Sequence, residues 1–331
     1  MLSRALGVEG RLREHRTLGD FARSLAVHDW IVLAYLTGLN AAVARSAEGP
    51  LKDSCQLRVG LLLLALVVVL VLVRAAPPRA GLFPALAYRA TVYGTVQVSY
   101  FFMRDLLPLV NPRSLDTELH GLGILLFGAE PARVLDAHVT ELTTEWFSFF
   151  YFGYFFVLAV HVVPILFLSK SRRALGEFTF GMLFMFCAGH TLYMLVPGYG
   201  PYQAIAPEFE NALPDGLWLD VVMQTVSEGG AQKDIFPSLH TAAPLFIALY
   251  SFRHRASIPY RFTWPVVLFV SANIIVATMF LRWHWIIDVA AGVALATTAQ
   301  ALSVAVTSFE LRRRAADTRL GPTWPEYSAA R

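Results

Sequence analysis

Charge is what this sequence has least of. Only 15% of its 331 residues are Asp, Glu, Lys or Arg, against about 25% in ordinary soluble domains. That deficit excludes a conventional soluble fold with a solvated surface. A formal net charge of +3 gives no electrostatic basis for binding nucleic acid. Cysteine is nearly absent as well. Cys55 falls in a loop and Cys187 inside an apolar block, so no disulfide is expected. There is no GxGxxG, no Cys-x-x-Cys pair, no internal repeat and no low-complexity tract, which removes the usual marks of dinucleotide-binding, redox and solenoid proteins. No cleavable leader is expected, because residues 1–28 are polar and rich in arginine.

What the sequence does have is apolar residues, 56% of the total, gathered in blocks. A membrane-spanning helix needs roughly 20 such residues. Eight spans are expected, over 30–44, 59–73, 82–103, 146–168, 175–196, 237–252, 262–281 and 283–309. The fold class that follows is all-α: a polytopic membrane helical bundle of about eight transmembrane helices. Residues 1–28 read as a cytoplasmic amphipathic segment. Residues 29–144 read as accessory spans plus one or two interfacial helices, broken by Pro108, Pro112 and Pro131. Residues 145–309 read as the core that carries the chemistry, 197–236 within it as a polar loop, and 310–331 as a cytoplasmic tail.

Arginine placement orients the spans, since cytoplasmic loops carry excess Lys and Arg. The basic clusters are Arg74 with Arg79, Lys170 with Arg172 and Arg173, Arg253 with Arg255 and Arg261, and Arg312 to Arg314. With the N-terminus they alternate correctly for eight spans with both termini inside. Loop 197–236 then lies outside, with six acids against Lys233.

Two stretches stand out under that orientation. One is Asp234-Ile235-Phe236-Pro237-Ser238-Leu239-His240, opening the sixth span. The other is His284-Trp285-Ile286-Ile287-Asp288, opening the eighth. Both fall at the outer rim, and both are helix starts. A helix start offers unpaired N–H groups and a positive dipole end, a natural anion site. Pro237 suits the first helical position, and Ser238 adds a hydroxyl. His284 and Asp288, four apart, would share a helix face. Asp288 could then fix one imidazole tautomer and leave the other nitrogen to attack. His240 could protonate a leaving oxygen. The plain alternatives are a packing hydrogen bond for the His–Asp pair and an ordinary cap for Ser238. A metal site lacks third and fourth ligands at useful spacing.

These residues resemble a known family. Phe236-Pro237-Ser238-Leu239-His240 resembles the second motif of the type 2 phosphatidic acid phosphatase superfamily, usually Pro-Ser-Gly-His. His284-x-x-x-Asp288 resembles the end of its third motif. The resemblance covers roughly residues 145–305. It implies a catalytic membrane core and a metal-independent, cofactor-free reaction through a phosphohistidine. His284 would be the nucleophile, Asp288 its partner, His240 the leaving-group acid and Ser238 a phosphate ligand. The chain departs from the family at Thr278, where an arginine is usual, at Leu239, where glycine is usual, and in lacking the first-motif lysine. These departures, with the Gly229 to Asp234 lead-in, resemble the inositol phosphorylceramide synthase branch. Arg282, Lys233 and Arg104 are then candidate phosphate-binding cations; interfacial anchoring is the plain alternative for each.

The expected function is a lipid phosphotransferase that moves a phosphorylated headgroup, phosphoinositol by the branch resemblance, between lipids. Its expected partners are a phospholipid or sphingolipid substrate and the membrane, with no nucleic acid and no assignable oligomeric state. A lipid phosphate phosphatase differs only in using water as acceptor. A transporter would need charged residues midway through several spans, and those are scarce.

Overall fold

The computed structural model describes residues 17–75 and 81–327. Most of the expected N-terminal amphipathic segment and the link at 76–79 lie outside the described residues. What remains is helical, with no strand among the described residues and one isolated bridge between Gly198 and Asp234.

The helices run in chain order as α1 (Leu18–Ser24), α2 (Val27–Ala44), α3 (Pro50–Leu70), α4 (Leu82–Phe101), α5 (Met103–Val110), α6 (Asp116–Phe127) and α7 (Pro131–Asp136). They continue as α8 (Glu141–Leu168), α9 (Arg172–Leu195), α10 (Pro201–Ala204), α11 (Leu217–Gly229), α12 (Leu239–Arg253), α13 (Tyr260–Phe280) and α14 (Ile286–Ala316). Six of them, α2, α3, α8, α9, α13 and α14, are long and apolar enough to cross a membrane, and the protein is an integral membrane protein. α4 and α12 complete the bundle. α12 has 15 residues, roughly 22 Å at 1.5 Å per residue, and it is shielded by α9, α13 and α14.

α9 is the axis of the bundle. Of its apolar window 72% is buried, against 17% for α3 at the periphery. Some polar groups inside are paired between helices, which offsets the cost of burying them in an apolar medium. The Ser271 hydroxyl of α13 donates to the Pro244 carbonyl of α12 at 2.9 Å. Tyr35 on α2 bonds Ser99 at 2.7 Å and reaches Nδ1 of His190 at 3.3 Å, the helix-to-helix contact expected of an intramembrane histidine.

The two ends of the bundle differ. At one end, buried Asp29 and Arg74 pair at 3.0 Å, and Glu310 accepts from Arg314 at 2.8 Å. Glu177, fully buried, receives Arg253 and His254 there. Arg89 belongs to this end. Instead of snorkelling freely, its guanidinium donates to the Leu166 and Pro325 carbonyls at 2.7 and 3.1 Å and meets Tyr327. The terminal segment is thereby tied to the bundle. The opposite end is built from the segments expected to be interfacial helices and polar loop. Residues 104–145 hold three short helices rather than one or two, and 197–236 contains α10 and the 13-residue α11. Glu145 caps α11 from α8, accepting from the Trp218 and Leu219 amides at 3.0 and 3.1 Å. A cap supplied from a distant element leaves no local signal, which is why composition reads α11 as loop.

Candidate active site

Two helix starts meet at that end. α12 begins at Leu239, with Ser238 as its cap accepting from the Thr241 amide at 3.2 Å. Pro237 therefore precedes the cap and is not the first helical residue, as the sequence reading had it. α14 begins at Ile286, so His284 lies just before the helix and shares no helical face with Asp288. A capping turn brings the two together instead. Asp288, the third residue of α14, accepts from the Trp285 amide at 2.9 Å. His284 Nδ1 then stands 3.6 Å from Asp288 Oδ2. A charge-assisted bond of this kind spans about 2.7–2.9 Å, so the ring must close by under ~1 Å to form it. Neither His284 Nδ1 nor Asp288 Oδ1 has another hydrogen-bond partner.

The two starts are bonded to each other. The Ser238 amide donates to the Asp288 carbonyl at 3.0 Å. Their approach depends on Gly292, where an added Cβ would fall 2.6 Å from the Ser238 carbonyl and 3.0 Å from Thr241 Cβ. His240 is held between α8 tyrosines, stacked on Tyr151 at 4.5 Å and tilted against Tyr154 at 4.2 Å. Its Nε2 is buried without a partner. The His240 and His284 rings are 6.2 Å apart, centroid to centroid.

Between the rings lies a cavity of about 140 Å³, lined by both histidines, by Asp234 and by aromatic side chains that include Tyr100, Tyr199 and Trp283. The Tyr100 hydroxyl donates to Asp234 at 2.9 Å. Burial pushes the Asp234 carboxyl above its ordinary range, and the bond from Tyr100 works against that shift.

The other expected anion ligands are placed differently. Ser238 is fully buried and occupied as a cap. Arg282 pairs with Asp136 at 2.7 Å, donates to the Asn211 carbonyl and lies over the Phe209 ring. Lys233 donates to the Pro112 and Arg113 carbonyls at 3.0 and 2.7 Å. Arg104 donates to the Ser227 carbonyl at 2.5 Å. These three cations hold the surrounding loops together. Among the described residues, no lysine or arginine lines the cavity.

Sequence reasoning passed over the acids that assemble this end. Asp116 Oδ1 accepts from Trp285 Nε1 at 2.9 Å and from the Gly200 amide at 2.8 Å. Its Oδ2 accepts from the Tyr199 amide at 2.8 Å and from the Ser114 hydroxyl. One carboxylate thus joins α6, the 197–200 turn and the residue after His284. Gly200 passes at φ +90° so close to the Trp283 carbonyl that a side chain there has no room. Glu130 is buried, accepts from the Ala132 amide at 3.3 Å, and lies within electrostatic reach of Asp288 on α14. No motif spacing marks Asp116, because Tyr199, Gly200 and Trp285 lie 83, 84 and 169 residues away. No group of His, Cys, Asp and Glu able to hold a metal ion occurs among the described residues.

No curated protein and no solved structure matches the chain. Residues 124–302 match the PAP2 superfamily, a stretch that takes in α8, α9, α12, α13, both histidines and Asp288. With more than half its length in that match, the chain belongs to the PAP2 superfamily.

Proposed function

We propose that this protein transfers a phosphorylated headgroup from one lipid to the hydroxyl of another, through a phosphohistidine on His284. Superfamily membership supports phosphatase- or phosphotransferase-type lipid chemistry in general. The observation that carries the finer reading is the convergence of His240 and His284 on one cavity, their rings 6.2 Å apart.

In the first half-reaction the His284 nitrogen not facing Asp288 attacks phosphorus. The bond from phosphorus to the diacylglycerol oxygen breaks, and His240 donates its proton to that oxygen. Asp288 holds the other ring nitrogen and offsets the positive charge that develops on the ring. In the second, the acceptor hydroxyl gives its proton to His240 and attacks phosphorus, the N–P bond breaks, and His284 is restored.

Two features favour a diester donor and a lipid acceptor over hydrolysis of a phosphomonoester. A phosphomonoester carries about −1.5 to −2 charge at neutral pH, and the cavity lining offers it no lysine or arginine. A diester brings a single negative charge. The walls are chiefly aromatic, which suits an acyl-bearing acceptor better than water. The clustering of Arg74, Arg89, Arg253 and Arg314 at the opposite end supports an outward-facing site with both termini cytoplasmic.

The test offers the purified protein phosphatidic acid in one assay and a phosphodiester lipid with ceramide or diacylglycerol in another. The expected outcome is a new headgroup-bearing lipid in the second assay and little free phosphate in the first. A folded His284→Ala protein should lose turnover by about 10³-fold or more, the scale of removing a nucleophile. Free phosphate as the dominant product makes the protein a phosphatase. Undiminished turnover in His284→Ala removes the mechanism.

A further inference from the structure

The cavity's charge pattern is the reverse of what a phosphate site ordinarily shows. Its one charged lining side chain is a carboxylate, Asp234. That carboxylate is not adventitious. The Tyr100 hydroxyl donates to it at 2.9 Å. It lies close enough to His284 for the two to interact electrostatically. A substrate phosphate bound for attack by His284 would therefore share the cavity with a carboxyl whose charge burial already disfavours while no cation stands beside it. Two like charges so placed repel, and burying them unpaired is costly. Much of the remaining wall is aromatic, from Tyr100, Phe101, Tyr151, Tyr199, Tyr202 and Trp283, and the Tyr199 ring already carries the Lys233 ammonium at 5.4 Å. Aromatic faces carry negative potential and attract cations, alkylammonium groups above all.

From these observations we propose that the headgroup transferred carries an alkylammonium group, as phosphocholine or phosphoethanolamine does, and that Asp234 with the surrounding aromatic rings binds that cation. The inference rests on the phosphotransfer reading above and names its substrate class. The ammonium lies between carboxylate and phosphate and neutralises both, so the site needs no lysine or arginine. An inositol headgroup would satisfy hydroxyl contacts but would leave carboxylate and phosphate opposed. Phosphatidic acid would add a second negative charge. Asp234 touches the headgroup only; it takes no part in the proton transfers assigned to His240. Tyr100 is a positioning residue, since it acts through Asp234.

The experiment uses the full chain in vesicles that contain ceramide and one donor with a fluorescent acyl chain: phosphatidylcholine, phosphatidylethanolamine, phosphatidylinositol or phosphatidic acid. Release of fluorescent diacylglycerol is read, because it reports the first half-reaction whatever the acceptor. At least one amine donor should be consumed ten-fold faster than phosphatidylinositol and phosphatidic acid; comparing the two amine donors separates a quaternary from a primary ammonium. Asp234→Asn should lower the ratio of amine-donor to inositol-donor kcat/KM at least ten-fold, chiefly through KM. Tyr100→Phe should lower it in the same direction by a smaller factor, and it serves where Asp234→Asn does not fold. Faster use of phosphatidylinositol or phosphatidic acid by the unaltered protein overturns the inference and leaves the phosphotransfer reading standing. So does an Asp234→Asn protein with an unchanged ratio. Absence of His284-dependent release from every donor removes both.

Discussion

Asp116→Asn is the substitution that most directly asks what assembles the end that holds both histidines. The aspartate accepts four bonds: from Trp285 Nε1 and the Gly200 amide on one oxygen, and from the Tyr199 amide and Ser114 hydroxyl on the other. Asparagine has the same shape but replaces one oxygen with a donor. If that donor takes the second position, the Ser114 hydroxyl can rotate to accept, whereas the Tyr199 N–H is left without a partner, at a cost of about 1–3 kcal/mol. The two bonds that survive lose their charge assistance, about 1 kcal/mol each. A total loss of about 3–5 kcal/mol follows. It falls on the 197–200 turn and on Trp285, the neighbour of His284, so turnover should drop together with stability. Thermal unfolding in detergent, followed by tryptophan emission, measures the first, and diacylglycerol release measures the second. Trp285→Phe removes only one of the four bonds and should show a fraction of both losses, about 1.5–3 kcal/mol in stability for a bond to a charged acceptor. An Asp116→Asn protein with an unshifted midpoint and full turnover would refute the reasoning, because it would mean that this carboxylate organises nothing.

Further outcomes follow from the same geometry. Gly292→Ala places a methyl against the Ser238 carbonyl and should push the α12 start off α14. We expect turnover to fall at least ten-fold while the protein still folds, checked by activity beside a melting curve. Glu130 is held by burial at a pKa of about 7, above its ordinary value of 4.5. The folded state therefore binds more protons than the unfolded state between those values, and stability contributed below about 4.5 is lost as pH rises through 7. The unfolding midpoint should fall from pH 5 to pH 8, and Glu130→Gln should flatten that dependence. A double-mutant cycle over Arg282→Ala and Asp136→Asn should give a coupling of about 0.5–3 kcal/mol in stability, as groups in contact do; a value near zero would show that Arg282 is free for another role.

Three levels of this protein were legible in the sequence to different degrees. Helix type and membrane embedding follow from apolar blocks about as long as a bilayer is thick, a property of each segment taken alone. The Phe236 to His240 and His284 to Asp288 stretches announced themselves because ionisable groups at a span end are rare without a use. The structure begins both helices two residues later than their sequences suggest, at Leu239 and Ile286. Whether Pro237 or Leu239 opens α12, and whether His284 sits on α14 or before it, depends on which side chain satisfies the first free amides. Ser238 and Asp288 do so, and capping competes with helix extension at the level of single hydrogen bonds.

The cations show the other limit. Arg282, Lys233 and Arg104 stand beside the motifs in sequence, and proximity along the chain suggested a shared anion. In three dimensions each guanidinium or ammonium is held by a carboxylate or carbonyls from segments 71 to 146 residues away. What the sequence by itself determined was the solvent this chain folds in, the helices it makes there and which imidazoles are worth watching. Only the tertiary structure decided how those imidazoles are oriented, that Asp116 ties Trp285 to the turn at 199–200, and that the cavity between them presents a carboxylate rather than a cation. Burial and backbone hydrogen bonding act locally and leave a periodic trace. Charge pairing joins distant segments, and it leaves none.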